Sequence, residues 1–107
     1  MNIKLHKNDL PNNIDFGKSV AIDTEAMGLN HTRDRLCLVQ LSSGNGVCHL
    51  VQILNNETKP KNLIKLLKNK KILKIFHFAR FDVGILKHTF HINIENIYCT
   101  KIASKLS

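Results

Sequence analysis

The sequence lacks any apolar run that approaches the roughly 18 to 20 residues needed to span a bilayer. Its N-terminal segment, residues 1–15, also lacks an apolar stretch followed by small residues, which a secretory signal requires. We therefore expect a cytoplasmic protein that has no membrane partner.

The cysteines and histidines lack the spacing of a disulfide framework or a zinc site. Cys37, Cys48 and Cys99 are odd in number and form no CxxC pair, so we expect reduced, mostly buried thiols. The six histidines show no HExxH or comparable ligand spacing, which disfavours zinc. His88 and His91 are three residues apart near a predicted helix end, where we expect them to be solvated.

Acidic residues are also few. Eight Asp and Glu oppose sixteen Lys and Arg, so the formal net charge is +8. Seven of the lysines and no acid lie within residues 59–74. Such a surface attracts an RNA backbone by counterion release, but a solvated lysine face on an amphipathic helix has the same pattern. The hydrophobic content of 43% indicates a folded chain, and we expect one domain over residues 1–107.

Periodicity predicts a mixed α/β fold. Turn-forming residues fill positions 7–18, so we expect regular structure to begin after them. Strands are predicted at residues 19–25, 35–42 and 47–53, and the glycine-containing segment 43–46 joins the last two as a hairpin, giving an antiparallel meander. Alternating helices and strands follow: a helix after Pro60, a strand at 71–77, a helix at 78–90, a strand at 93–99, and a helix that Thr100 N-caps.

Two carboxylates share one face of the first predicted strand. The period of two places Asp23 and Glu25 together, roughly 6 to 7 Å apart along the strand, on the face opposite Ile22 and Thr24. Burying a charged carboxylate without a partner costs several kcal/mol, so the pair requires a cation, a shared proton or solvent. Alternatively, the strand ends at Asp23 and both acids are solvated loop residues.

A third carboxylate, Asp82, lies on the apolar side of a predicted helix. At about 100° per residue it falls on the same side as Ile85 and Leu86, whereas Arg80 and Lys87 lie on the opposite side. No basic residue of the same helix therefore neutralises it. An acid in this position indicates a functional role, although a hydrogen bond to neighbouring backbone also accounts for it.

The three carboxylates predict a metal site. We expect Asp23, Glu25 and Asp82 to converge on one sheet surface with no evident lysine or arginine partner. Hard oxygen ligands of this kind favour Mg²⁺ or Mn²⁺.

Three sequence blocks occur in the order and spacing of a known family. The blocks are VAIDTE with a following GL (residues 20–25 and 28–29), RLCLVQL (35–41) and IFHFARFD (75–82). Over residues 8–106 the chain resembles ribonuclease D and its relatives, which are 3′→5′ exonucleases. The resemblance implies a ribonuclease H-like mixed sheet, in which an antiparallel three-strand meander is followed by β-α-β-α units.

The same resemblance implies a reaction and a set of site residues. Asp23, Glu25 and Asp82 would be the catalytic residues and would bind two ions, Mg²⁺ or Mn²⁺, for hydrolysis at RNA 3′ ends such as those of tRNA precursors. The resemblance also assigns six residues to substrate binding. The alternative interpretation of these residues is a turn and ordinary core packing. These are Thr24, Met27, Gly28, Leu29, His77 and Phe81.

The sequence departs from the family pattern in its later part. The family has a fourth acid, an Asp four residues after a Tyr in a late helix, and this sequence has neither. Its one tyrosine, Tyr98, precedes Cys99 at the end of a predicted strand. We therefore expect the N-terminal half of an exonuclease domain, completed by a second polypeptide if it is active. The alternative is a catalytically inactive remnant that binds nucleic acid or a partner.

Overall fold

A computed structural model describes residues 2–26, 35–54, 59–77 and 79–99. Within these residues the chain forms one six-stranded sheet and two helices. The strands are β1 (Asn2–Lys7), β2 (Ser19–Ala26), β3 (Leu36–Ser42), β4 (Val47–Gln52), β5 (Leu73–Phe76) and β6 (Ile97–Cys99), and the helices are α1 (Lys61–Lys68) and α2 (Ala79–Phe90).

The strands follow the order β1-β4-β3-β2-β5-β6 in the sheet. β2, β3 and β4 are antiparallel neighbours, so the predicted meander is confirmed. Gly44 and Gly46 adopt positive φ angles of 83° and 84° between β3 and β4, which glycine does without the steric cost of a side chain. β5 pairs parallel to β2, and β6 pairs parallel to β5 after a crossover that includes α2. The predicted mixed α/β class is confirmed.

The hydrophobic core lies on one face of this sheet. Val20 and Ile22 of β2 and Leu41 of β3 are buried there, in one cluster with Leu63 of α1 and Leu86 of α2. Alternate residues of β2 are exposed, as its period of two predicts. Neither α1 nor α2, the two helices of the described residues, is long and apolar enough to cross a membrane.

The first strand was not predicted by the periodicity. Regular structure begins at Asn2 rather than after residue 18, because β1 pairs parallel with β4 at the edge of the sheet. Five of its six side chains are exposed, so no buried face imposes an apolar alternation on the sequence. The predicted helix that begins at Thr100 lies outside the described residues.

The three thiols are buried to different extents, and none of them is mostly exposed. Cys48 is buried, but Cys37 and Cys99 are both partly exposed. None of the three forms a disulfide bond.

One lysine of the predicted basic surface lies in the core. Lys74 of β5 is fully buried, whereas the other six lysines of residues 59–74 are exposed. Its Nζ donates hydrogen bonds to the carbonyl oxygens of Asn69 and, at 2.7 Å, Glu95. Burial lowers the pKa of Lys74, and the Glu95 carboxylate opposes that shift. This amine therefore joins two connecting segments instead of contributing to a phosphate-binding face.

Helix α1 receives its N-terminal cap from a distant residue. Pro60 occupies the N-cap position and makes no side-chain cap hydrogen bond. Instead, the Asp9 carboxylate accepts the N–H groups of Asn62 and Leu63, each at 3.0 Å. First-turn amides have no partner within a helix, and a negative charge is favourable at this end of it. Asp9 therefore joins the segment after β1 to α1.

We expect Asp9→Ala to lower the free energy of unfolding by about 1 to 2 kcal/mol, because two first-turn amides lose their acceptor. Urea denaturation followed by circular dichroism measures this loss. Asp15→Ala is the matched control, since the exposed Asp15 accepts the N–H of Gly17 within its own turn. Its effect should stay below about 0.5 kcal/mol. Equal losses in the two variants would contradict the capping role of Asp9.

Candidate active site

The acidic strand motif places its side chains on both faces of β2. Asp23 and Glu25 are exposed, and Thr24 between them is buried with 9% of its surface accessible. The Asp23 carboxylate also accepts the N–H of Thr24 at 3.0 Å. The alternation within the strand is as predicted, and it continues to the end of the motif. The interpretation of both acids as loop residues is therefore wrong, because β2 extends to Ala26.

The third carboxylate meets this strand from the buried side. Asp82 lies in the first turn of α2, and only 5% of its surface is exposed, as its place on the apolar side of the helix predicts. The Thr24 hydroxyl donates to the Asp82 carboxylate at 2.6 Å. This bond joins the DTE motif of β2 to the FD end of the helical motif, which are separated by 58 positions.

The surroundings of Asp82 favour its protonated form. Burial raises the pKa of Asp82 to about 6, and the negative charge of Asp23 adds to this effect. The hydrogen bond from Thr24 and the positive charge of His77 act in the opposite direction. Asp23 and Asp82 are therefore close enough to repel each other, so a cation bound near both would lower the energy of the ionised pair.

The three carboxylates do not share one sheet surface as expected. Asp23 and Glu25 lie on the exposed face, whereas Asp82 lies on the buried side with Thr24. Within residues 2–26, 35–54, 59–77 and 79–99, no three His, Cys, Asp or Glu side chains are grouped closely enough to hold a metal ion. The donor chemistry nevertheless suits a hard divalent cation, since the available ligands are carboxylate oxygens in mutual repulsion. The metal-binding role of these residues stays a prediction.

The structure describes three of the six predicted substrate-binding residues. His77 is exposed directly after β5, and Phe81 is partly buried against the hydrophobic core. Thr24 is held by Asp82. Met27, Gly28 and Leu29 lie outside the described residues. The roles of all six in substrate binding remain predictions.

A small cavity adjoins Asp23 on the exposed face of the sheet. Its volume is about 210 Å³, and two of its polar lining residues, Gln40 and Ser42 of β3, were missed as candidates. They lie opposite Asp23 and Ala21 in the register of β2 and β3. The alternation of polar and apolar residues in VQLS is the signal that places them on this face. The lining residues are Ala21, Ile22, Asp23, Gln40, Ser42, Ile75, Phe76 and His77.

Known proteins share both the sequence pattern and the fold. A family model described as a 3′-5′ exonuclease matches residues 6–107. Ribonuclease D of Bartonella henselae is 33% identical over 94 residues, which cover 88% of this chain and 22% of that protein. The solved structure of Brucella melitensis NrnC is 52% identical, with a TM-score of 0.93 over 99% of this chain and 52% of that one.

A more distant solved structure has the same fold. Escherichia coli RNase D is 22% identical, with a TM-score of 0.64 over 81% of this chain and 23% of that one. The predicted ribonuclease H-like architecture is confirmed by these matches. The chain spans about half the length of the solved NrnC chain and about a fifth of the curated ribonuclease D sequences.

The raised pKa of Asp82 predicts a pH-dependent stability in the absence of divalent cations. The folded state holds the Asp82 proton up to about pH 6, whereas an ordinary carboxyl releases it near 3.8. The folded state therefore binds more protons between these values, and the free energy of unfolding should fall as the pH rises through them.

Asp82→Asn should abolish this decline, because the amide keeps an oxygen for Thr24 and carries no charge. Above about pH 6 we expect it to be more stable than the wild type, by at most about 3 kcal/mol. Urea denaturation in EDTA across this range measures the difference, with Asp15→Asn as an exposed control. Parallel profiles for the wild type and Asp82→Asn would contradict the proposed burial effect.

Proposed function

This chain belongs to the 3′-5′ exonuclease family, as its resemblance to ribonuclease D predicts, and on that premise we propose that it is the N-terminal part of a metal-dependent 3′→5′ exoribonuclease. The observation that carries the proposal is the hydrogen bond between Thr24 and Asp82. It joins the acid of the helix motif to the acidic strand motif, from which it is separated by 58 positions.

The proposed ligands of the metal are Asp23, Glu25 and Asp82. Mutual repulsion between Asp23 and Asp82 supports this assignment, as does a structure of the similar Brucella melitensis NrnC with bound Mg²⁺. We propose Mg²⁺ or Mn²⁺, with two ions in a complete site. When bound, such ions neutralise charge on the phosphodiester and activate water for hydrolysis.

The residues of this chain contribute positioning and charge. Thr24 holds the Asp82 carboxylate in one orientation through its hydroxyl. Asp23 projects from the exposed face toward the cavity that His77 also lines. In the proposed function, a terminal nucleotide occupies this region, with its phosphate near Asp23 and His77. Met27, Gly28, Leu29 and Phe81 complete the proposed substrate contacts.

The proposed substrate is the 3′ end of single-stranded RNA. A structure of the 52% identical NrnC with bound pGG supports a short RNA. Hydrolysis of tRNA precursors stays a prediction from the resemblance to ribonuclease D. Because the chain spans about half of the solved NrnC chain, a complete site would take its fourth acid and its tyrosine from outside these 107 residues. A second polypeptide is one proposed source.

A second candidate function is a catalytically inactive module that binds nucleic acid or a complementary fragment. The observation that favours it is the separation of the acidic side chains, since no group of three potential ligands occurs within the described residues. The two candidates differ in turnover, because only the exonuclease shortens its RNA.

We expect the purified chain, in Mn²⁺, to shorten a 5′-labelled single-stranded RNA stepwise from its 3′ end. The ladder should disappear in Asp23→Ala, because a carboxylate that holds the ion is gone. Asp15→Ala, which removes an exposed acid in a turn, should keep wild-type activity. An RNA blocked by a 3′-phosphate should resist shortening if digestion starts at that end. Binding of RNA without any shortening would support the inactive module instead.

The metal site is tested separately from turnover by thermal unfolding. Mn²⁺ should raise the melting temperature of the wild type, because an ion that binds only the folded state stabilises it. Asp82→Ala should lose this response, and Asp15→Ala should retain it. An unchanged response in Asp82→Ala would exclude Asp82 as a ligand, whatever the activity assay shows.

The exposed lysines before β5 are proposed to bind the RNA backbone. Replacing Lys68, Lys70 and Lys71 by Ala should weaken RNA binding and make it less dependent on salt. The slope of log affinity against log salt should fall by up to about 2, because each phosphate that is no longer neutralised contributes about 0.7 to it. Fluorescence anisotropy over a salt series measures the slope. Lys87→Ala, an exposed lysine on α2, is the control. An unchanged slope would show that these lysines are only solvated.

A further inference from the structure

The N-terminal strand has little side-chain support. Ile3 and Leu5 of β1 remain 64% and 60% exposed, so burial of apolar surface contributes little to holding the strand. Its backbone pairs parallel with β4, and flanking N–H groups of Asn2 and Asn8 donate to Gly46 and Gln52 at 2.8 and 2.7 Å. β1 is therefore an edge strand held mainly by its backbone hydrogen bonds.

A pair of imidazoles forms a side-chain contact between β1 and β4. His6 Nε2 and His49 Nδ1, on β4, are 3.0 Å apart in a hydrogen bond. The two rings stack with centroids 5.2 Å apart, and Phe16 contacts the His49 ring edge-on at 5.5 Å. One nitrogen must donate and the other must accept, so the contact is incompatible with protons on both of these nitrogens.

The surroundings of His49 disfavour a positive charge on its ring. Its surface is 9% exposed, and burial lowers the pKa of His49, with further lowering by the charges of His6 and Lys4. Across the sheet it lies opposite Leu41 of β3 and, on the other side, Lys4. Phe16 covers its edge. The neighbours of the His49 ring from β3 and from the loop before β2, Leu41 and Phe16, are thus apolar.

Two acids of the segment between β1 and β2 are engaged elsewhere. Asp9 caps α1, and Asp15 accepts the N–H of Gly17 in its own turn. We infer that the His6–His49 pair is a proton-sensitive latch, which holds β1 on the sheet at neutral pH and releases it in acid, uncovering the edge of β4. This inference does not depend on the proposed exonuclease activity.

The direction of the effect follows from linkage. A histidine that binds its proton less readily in the folded state stabilises the closed form above its ordinary pKa of 6.5, and this stabilisation is lost as the pH falls. The open form, with β1 detached, then accepts the proton that His49 binds only weakly in the closed form. Acid therefore favours the open form.

Cys48 reports whether β1 is in place. It is only 4% exposed and lies opposite Ile3 in the register of β1 and β4, so release of β1 should uncover its thiol. The experiment labels the full chain in EDTA with 4,4′-dithiodipyridine at about pH 7.5 and about pH 5, on either side of the ordinary histidine pKa. Mass spectrometry then quantifies the label at each cysteine. The partly exposed Cys37 is the internal reference for the reagent.

In the wild type we expect labelling of Cys48 relative to Cys37 to rise severalfold in acid, because the closed form binds the His49 proton more weakly than the open form does. His49→Gln, which cannot be protonated, should abolish the rise, and His6→Gln should do the same if His49→Gln does not fold. His88→Gln removes an exposed histidine and should keep the rise. A flat wild-type ratio, or an equal rise in the glutamine variants of the pair, would overturn the latch.

Discussion

The hydrogen bond from the Thr24 hydroxyl to the Asp82 carboxylate is the contact on which the candidate site depends. It crosses from the middle strand pair of the sheet to the first turn of α2, and it is buried. Because Asp82 lies in the first turn of α2, the bond fixes the position of that turn relative to β2. The acidic strand motif and the helix motif are thereby joined by a buried contact, although 58 positions separate the two residues.

The same contact imposes an electrostatic cost. Thr24 supplies one hydrogen bond, but burial and the nearby Asp23 still raise the pKa of Asp82 to about 6. A structural role alone would be served by a neutral side chain such as asparagine, with less repulsion. Carboxylates in mutual repulsion are typical of sites that bind a cation or exchange a proton. The cost is therefore consistent with membership of a nuclease family whose relative NrnC has been solved with Mg²⁺.

Other polar contacts connect segments that are distant in the chain. The Asp9 carboxylate caps α1 from the segment after β1, and the Lys74 amine binds carbonyl oxygens on two separate connections. At the sheet edge, the His6–His49 pair joins β1 to β4. Each contact satisfies a buried or helix-terminal polar group that would otherwise lose its hydrogen bonds to water without replacement. Such contacts organise the connections, while the apolar cluster stabilises the central strands.

The sequence by itself determined the central strands, both helices and the burial of Asp82. These follow from local periodicity, since a strand alternates every two residues and a helix returns every 3.6. Only the tertiary structure decided that β1 forms, that Asp9 caps α1 and that Lys74 is buried. It also decided that the Asp82 carboxylate binds the Thr24 hydroxyl on the buried side of β2, whereas Asp23 and Glu25 lie on the exposed face. All these features depend on backbone and side-chain partners that lie far away in the chain, and periodicity within one segment carries no information about which distant segment packs against it.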